Sequence, residues 1–304
     1  MQALTLIAFI GSVFSPYYAW ARRRQGEGQA AAQAHCALNV SLYRRAPGAR
    51  RFARLWAMTE RGTEALQQDA TRLQIGPSQL TWQSDGRLQI DIDECTVPWP
   101  RRLRGRVLLQ PGALPGRAFA LDAQAHHHWQ PISPGAQVTV DFSAPDCHWT
   151  GHAYLDANHG SRPLARDFHS WQWQRSSQPD GRTLVLYDVQ PLAGPRHTLS
   201  LAIDADGRVS PQPLQPPQGL PDTAWQMRRH TRGHRPPELL ATLESGPFYC
   251  RSLLLDRDSG DHRGIDGGTV AVHESLSLQR FEQPWVQALL PFRMPRRAAW
   301  PGAR

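Results

Sequence analysis

A chain of 304 residues with 40% hydrophobic side chains can form one large or two medium domains and is too apolar to be disordered throughout. Its net charge of +8 is carried by arginine, but no basic run exceeds Arg22–Arg24 and no zinc-finger spacing occurs, which argues against a nucleic-acid-binding module. The same charge suits either an anionic membrane surface or a plain solvated one. Four widely spaced cysteines, Cys36, Cys95, Cys147 and Cys250, with no C-x-x-C pair, argue against a disulfide scaffold and a thiolate zinc site, and a reduced compartment follows.

Taken in chain order, the first apolar run is Ala3–Phe14. It is too short to span a bilayer as a helix and has no positive residues before it. A buried strand is therefore preferred to a signal sequence, although Ala19-Trp20-Ala21 has the look of a cleavage site. Thr63–Leu73 carries Leu66, Ala70 and Leu73 at helical spacing and is read as one amphipathic helix. Leu88–Asp93 and Gln137–Phe142 alternate apolar with polar, as half-buried strands do. Thr183–Val189 and Thr198–Ile203 flank Gly194-Pro195 and read as a hairpin, and Asp204–Val209 reads as a turn into a further strand. Ser210–Pro221 holds five prolines in twelve residues and reads as a linker. The expected organisation is a first domain over 1–209, a linker over 210–221 and a smaller domain over 222–304. The 26 prolines, 24 glycines and 11 tryptophans, scattered along the chain, favour short strands over long helices. Gly264–Gly268 is a lone turn signal, and no P-loop, G-x-S-x-G or G-x-G-x-x-G apparatus is present.

Four clusters carry chemistry. In an extended GHAYLDANHG segment, Tyr154, Asp156 and Asn158 share one face, which makes a carboxylate flanked by a phenol and an amide. A solvent-side polar turn is the competing reading. His126-His127-His128-Trp129 invites a metal assignment, but alternation sends His127 and Trp129 one way and the other two histidines the opposite way, so a cavity wall is preferred. Trp171 and Trp173 share a face and form either ordinary core or an aromatic wall for a polyene or a cation. Tyr187 and Asp188 face opposite sides of their strand. Asp188 falls in register with Leu184 and Leu186, as a polar intruder or as an edge residue paired with an arginine.

Several segments together resemble one family. They are LTLIAFIGSVFSPYYAWAR (4–22), HCALNV (35–40), WAMTERG (56–62), IDIDE with VPWPRRLRGRV (90–107), YLDANHG (154–160), LVLYDV, HESLSLQRF (273–281) and LLPFRMPRR (289–297). In this order they resemble the carotenoid 1,2-hydratases, or hydroxyneurosporene synthases, with an AttH-like, lipocalin-like architecture. The resemblance implies an all-β fold of two tandem lipocalin-like antiparallel β-barrels with one short helix. It implies hydration of the terminal C1–C2 double bond of acyclic carotenoids such as neurosporene and lycopene, in the spheroidene and spirilloxanthin pathways of phototrophic bacteria, without cofactor or metal. The family's acid, an aspartate two residues after a tyrosine, falls on Asp156 and Tyr154, and its His-x-Trp falls on His127 and Trp129. Members of that family usually carry an upstream aromatic strand, so the expectation is either a misassigned start or a first barrel that lacks a strand, and His159 stands where many members have tryptophan.

The expected catalytic set is thus Asp156, Tyr154 and His127. The expected substrate-binding set is Trp129, Asn158, Trp171, Trp173, Tyr187 and Asp188. A protonated Asp156 would protonate C2, aromatic faces would stabilise the tertiary cation at C1, and His127 or Asn158 would deprotonate the attacking water. The partners are an acyclic carotenoid, water and an anionic bilayer, and the expected location is cytoplasmic, peripheral to the inner photosynthetic membrane. The competing readings are a lipocalin-like carrier of an apolar ligand and an exported AttH-like protein.

Overall fold

A computed structural model describes residues 1–26, 28–49, 51–257 and 268–297; the Gly264–Gly268 turn signal, apart from Gly268, lies outside them. Among the described residues twenty strands follow one another: β1 (Gln2–Ile10), β2 (Cys36–Arg44), β3 (Ala53–Met58), β4 (Leu66–Gln68), β5 (Arg72–Ile75), β6 (Ser78–Trp82), β7 (Leu88–Cys95), β8 (Arg102–Gln110), β9 (Phe119–Ala120), β10 (His127–Ala144), β11 (Asp146–Gly160), β12 (Phe168–Ser177), β13 (Thr183–Pro191), β14 (His197–Ile203), β15 (Val209–Pro211), β16 (Pro217–Leu220), β17 (Arg229–Arg232), β18 (Glu238–Ser245), β19 (Tyr249–Asp256) and β20 (Thr269–Ser277). The α-helices are α1 (Pro16–Gln25), α2 (Leu278–Phe281) and α3 (Pro284–Arg293). The pairs β1–β2, β7–β8, β8–β10, β12–β13, β12–β20 and β13–β14 are antiparallel, so the all-β expectation holds. No helix among the described residues is long and apolar enough to cross a membrane.

The chain forms two compact units. The first comprises residues 1–111, 137–153 and 287–304, and the second comprises 112–136 and 154–286. This division differs from the expected one. The proline-rich 210–221 stretch lies inside the second unit, where Val209–Pro211 pairs with β14 and Pro217–Leu220 pairs with β17. Proline is tolerated in such short strands because they need few ladder donors.

In the first unit, β1-β2-β3 form one sheet, and β11-β10-β8-β7-β6-β5-β4 follow one another in a second. The N-terminal run is a strand, half-buried along most of its length, and it stops at Ile10 rather than continuing to Phe14. Gly11 at φ +72° turns the chain, and Ser15 then caps α1 by accepting from the Tyr18 amide at 2.8 Å. Pro16 at the first helical position and Arg22–Arg24 in the last turn complete an ordinary helix signature. In β7 the alternation holds, with Leu88, Ile90 and Ile92 inward. Glu94 extends that inward face and is satisfied by Arg61 at 2.7 Å and Ser78 at 2.9 Å.

The expected helix over Thr63–Leu73 does not form. Thr63–Ala65 is a single 3-10 turn, and β4 and β5 form a hairpin pairing Gln68 with Leu73. Asp69 accounts for the difference. Its Oδ1 accepts from the amides of Thr71 and Arg72 at 2.8 and 2.9 Å, a side-chain-to-backbone turn that competes with the helix.

In the second unit, seven strands run in the order β15-β14-β13-β12-β20-β19-β18. The predicted β13–β14 hairpin pairs Thr183 with Ile203 through Val189 with His197. Cross-strand partners share a face, so the register sets Tyr187, Trp173, Glu274 and Arg251 side by side in one row. Trp171 and Arg175 flank Trp173 on the same face. The opposite face carries Asp188, Gln174, His273 and Ser252. It is covered by the β16–β17 hairpin, through Arg229 to Ser252 (2.8 Å) and Thr231 to Gln174 (2.6 Å).

Candidate active site

Strand β11 enters the second unit at Tyr154 and presents Tyr154, Asp156 and Asn158 from one edge of its pleat, as alternation predicts. The Asp156 carboxyl group accepts two hydrogen bonds, from the Trp129 indole Nε1 at 2.8 Å and from the Tyr154 hydroxyl at 3.2 Å. Both arrive at Oδ2. Trp129 is 0% exposed and leans on Phe119 (5.5 Å between centroids) and on Tyr187 (5.8 Å). Tyr154 packs on Trp173 at 5.5 Å, and the Arg175 guanidinium lies 5.3 Å from the Tyr154 ring. Trp171 meets Tyr187 edge-on at 5.9 Å, and the Tyr187 hydroxyl donates to Asn158 Oδ1 at 3.1 Å. Tyr154, Trp129, Trp171, Trp173, Tyr187 and Asn158 thus gather around or beside Asp156.

Electrostatics follow from this enclosure. Burial raises the Asp156 carboxyl to about 6, helped by the nearby Glu274 charge and opposed by the Trp129 and Tyr154 hydrogen bonds and by Arg175. Burial, with the Asp156 charge, also pushes the Tyr154 phenol well above its usual range, and Tyr187 behaves alike. The Arg175 guanidinium is lowered, chiefly by burial.

The other expected residues lie elsewhere. His127 is buried as predicted, but its Nε2 meets Asp167 Oδ2 at 2.7 Å, and Asp167 is in turn gripped by Arg162. Its ring packs on Phe168 at 4.8 Å. Gly160 passes so close to His127 Nδ1 that a Cβ there would come within 2.5 Å, so glycine is needed at that position. The three histidines diverge: His126 faces Asp122 at 3.3 Å, His127 faces Asp167, and His128 stacks on His159 at 4.9 Å. Among the described residues no group of three or more His, Cys, Asp or Glu side chains is placed to hold a metal.

Asp188 is not brought to Asp156. It lies on the opposite face of the sheet, fully buried, and accepts from Arg232 at 2.8 Å, His230 at 3.2 Å, Thr198 at 3.2 Å and Arg196 at 3.3 Å. Burial alone would raise it, but the hydrogen bonds of His230 and Arg232 and the Arg196 charge hold it down at about 2. A polar cavity of about 290 Å³, lined by Ser170, Gln172, Met227, Ser275 and Arg280 among others, contains none of the residues gathered around Asp156.

Sequence reasoning did not single out Arg175, Glu274, Arg251 or Asp167. The first three were open to the argument used for Asp188, a charged residue in apolar register. Arg175 follows Trp171 and Trp173 at steps of two, and Glu274 lies between Val272 and Leu276.

Comparison with known proteins identifies the family. A model of the family described as carotenoid hydratase CrtC matches residues 6–303. An acyclic carotenoid 1,2-hydratase of Thiocapsa roseopersicina is 47% identical over 299 residues, covering 97% of this chain and 69% of that protein. One of Rhodobacter capsulatus is 41% identical over 303 residues, covering 97% and 99%. A solved structure described as an AttH from Nitrosomonas europaea superposes with a TM-score of 0.56 at 17% identity, covering 80% of this chain and 81% of that one, a likeness of fold alone. With a family model matching it almost end to end and relatives aligned along nearly its whole length, the chain belongs to the carotenoid hydratase CrtC family.

Proposed function

We propose that this protein is a hydro-lyase of the acyclic carotenoid 1,2-hydratase type, adding water across the terminal C1–C2 double bond of an acyclic carotenoid such as neurosporene or lycopene, with Asp156 as the proton donor. The relatives' activity supports the reaction. One observation carries the residue assignment: both hydrogen bonds to Asp156 end on Oδ2, in surroundings that raise the carboxyl to about 6. The acidic proton then belongs on Oδ1. An alkene is a weak base, and an ordinary aspartate is ionised at neutral pH. Enclosure keeps a protonated fraction available, as in other enzymes with a raised carboxylic acid.

Transfer of the Oδ1 proton to C2 leaves a tertiary cation at C1 and a carboxylate on Asp156. Trp129 and Tyr154 already point their donors at that carboxylate, so its charge is stabilised as it develops. The aromatic faces of Trp171, Trp173 and Tyr187 suit the cation, at about 0.5–2 kcal/mol each. His127, tied to Asp167, is a positioning group in this scheme, and Asp188 has no part in it. The reaction runs on protein groups and water. The basic charge suits peripheral contact with an anionic bilayer, where the substrate resides. A carrier would gain nothing from a carboxyl group in an aromatic enclosure, which favours the enzyme over the binding protein.

The test is Asp156→Asn, assayed with neurosporene or lycopene by chromatography of the 1-hydroxy product. Hydration is expected to fall by about 100-fold or more in a folded variant. Near-normal turnover would remove Asp156 as the acid, and activity lost to a chelator and restored by zinc would overturn the metal-free scheme.

A further inference from the structure

Water addition needs a group to take the proton that water loses at C1. His127 is not placed to supply it: its Nε2 is committed to Asp167, and its Nδ1 is buried against the Gly160 backbone with no access for water. We infer that Glu274 is the proton acceptor for the attacking water; this rests on the hydration reading above.

The placement comes from register. Glu274 stands between Trp173 on β12 and Arg251 on β19, in the row that continues to Tyr187. The aromatic members of that row are the ones that pack on the acid strand: Trp173 lies against Tyr154, and Tyr187 bonds Asn158. Two carboxylates lie in that row, Glu274 and, beyond Arg251, Glu244, and Glu274 is the one that stands next to Trp173 and the acid strand. Its Oε1 accepts from Arg251 Nε at 2.7 Å, and Arg251 also donates to Glu244 at 2.9 Å. That bridge fixes the carboxylate and leaves Oε2 with no hydrogen bond among the described residues. The side chain keeps 21% exposure, whereas Arg251 keeps 2%. Beside it, the Trp173 indole Nε1–H is buried with no acceptor. A donor and an acceptor on adjacent positions of one row are what a bound water requires. The Glu274 charge also reaches Asp156 and Tyr187 electrostatically.

The step balances as follows. The Asp156 Oδ1–H bond breaks and a C2–H bond forms. The water oxygen bonds to C1, one of its O–H bonds breaks, and the proton goes to Glu274 Oε2. The enzyme then holds an Asp156 carboxylate and a Glu274 acid. Proton exchange through water after product departure returns both to their starting states, with no other reactant consumed.

The experiment separates the two carboxylates by running the reaction in D2O. Asp156 deuterates the alkene reversibly; a cation that is not captured by water reverts, and each reversal in which the chain end first turns about C2–C3, so that the original hydrogen rather than the deuterium leaves C2, places deuterium in recovered substrate. Wild type, Asp156→Asn, Glu274→Gln, Glu274→Asp and the double variant Glu274→Gln/Arg251→Gln are compared for 1-hydroxy product and for deuterium in unreacted carotenoid, with folding followed by circular dichroism. In Glu274→Gln the Arg251 cation keeps Glu244 as its partner, and the double variant, which removes that cation, carries the test where Glu274→Gln alone does not fold. Glu274→Gln is expected to lose about 100-fold in hydration while deuterium entry stays within about threefold of wild type, and Glu274→Asp is expected to recover part of the hydration. Hydration within about threefold of wild type in a folded glutamine variant would overturn the assignment, as would equal loss of hydration and deuterium entry. Asp156→Asn is expected to lose both signals; if it keeps both, the Asp156 reading fails, which is a different outcome from failure at Glu274.

Discussion

Asp156 and Asp188 belong to the same compact unit, the first half-buried by exposure but closely packed and the second buried, yet they are driven in opposite directions. Asp156 meets indole and phenol donors on an aromatic face and is raised to about 6. Asp188, on the other face of the neighbouring sheet, meets Arg232, Arg196 and His230 and is lowered to about 2. Burial alone therefore does not decide what a carboxyl group becomes. Neutral donors leave desolvation in charge and yield an acid, whereas cations outweigh desolvation and yield a structural anchor.

The largest expected effect breaks this pair apart in activity. Asp156→Asn should lose about 100-fold or more in hydration with its fold intact, whereas Asp188→Asn should lose activity only as far as it unfolds, which specific activity per folded molecule would reveal.

Stability should separate them in the opposite sense. Removing the Asp188 charge strands its cations and should cost about 2–4 kcal/mol at pH 7, read from chemical denaturation. Its folded pKa is depressed, so its contribution is present above pH ~4 and is lost as pH falls towards about 2. Asp156 has a raised pKa, so its contribution is full below pH ~4 and is lost as pH rises through about 6. Asp156→Asn should therefore be more stable than wild type at pH 7, by about 1–3 kcal/mol, and equal to it near pH ~4. Equal stability at both pH values would contradict the enclosed-acid picture.

The pH–rate profile sharpens the comparison further. Hydration should decline as pH rises through about 6, because the donor must be protonated. The Tyr154 hydrogen bond favours the charged carboxylate, so Tyr154→Phe should move that limb to higher pH and slow the reaction by about tenfold. The smallest effect belongs to Tyr187→Phe, which removes one hydrogen bond to Asn158 and should cost about 1 kcal/mol of stability with activity changed only a few-fold.

Much of the site was legible because strands alternate. Period two placed Tyr154, Asp156 and Asn158 together, sent His127 and Trp129 inward, put Trp171 with Trp173, and set Tyr187 against Asp188. The helix misread over Thr63–Leu73 and the unmarked α1 have a common cause. Both turn on local side-chain bonds, at Asp69 and Ser15, that hydrophobic spacing does not register.

The sequence by itself determined the strand-rich class, the face on which each site residue lies and, through full-length resemblance, the family. Only the tertiary structure decided which face meets which. Strand pairing brought Glu274 beside Trp173 over about a hundred residues of chain, gave Asp188 its cations from β17 and the 191–197 connection, and turned His127 to Asp167. Those are contacts between segments far apart in the chain, whose register is set by packing and turn geometry, and no local periodicity encodes the partner.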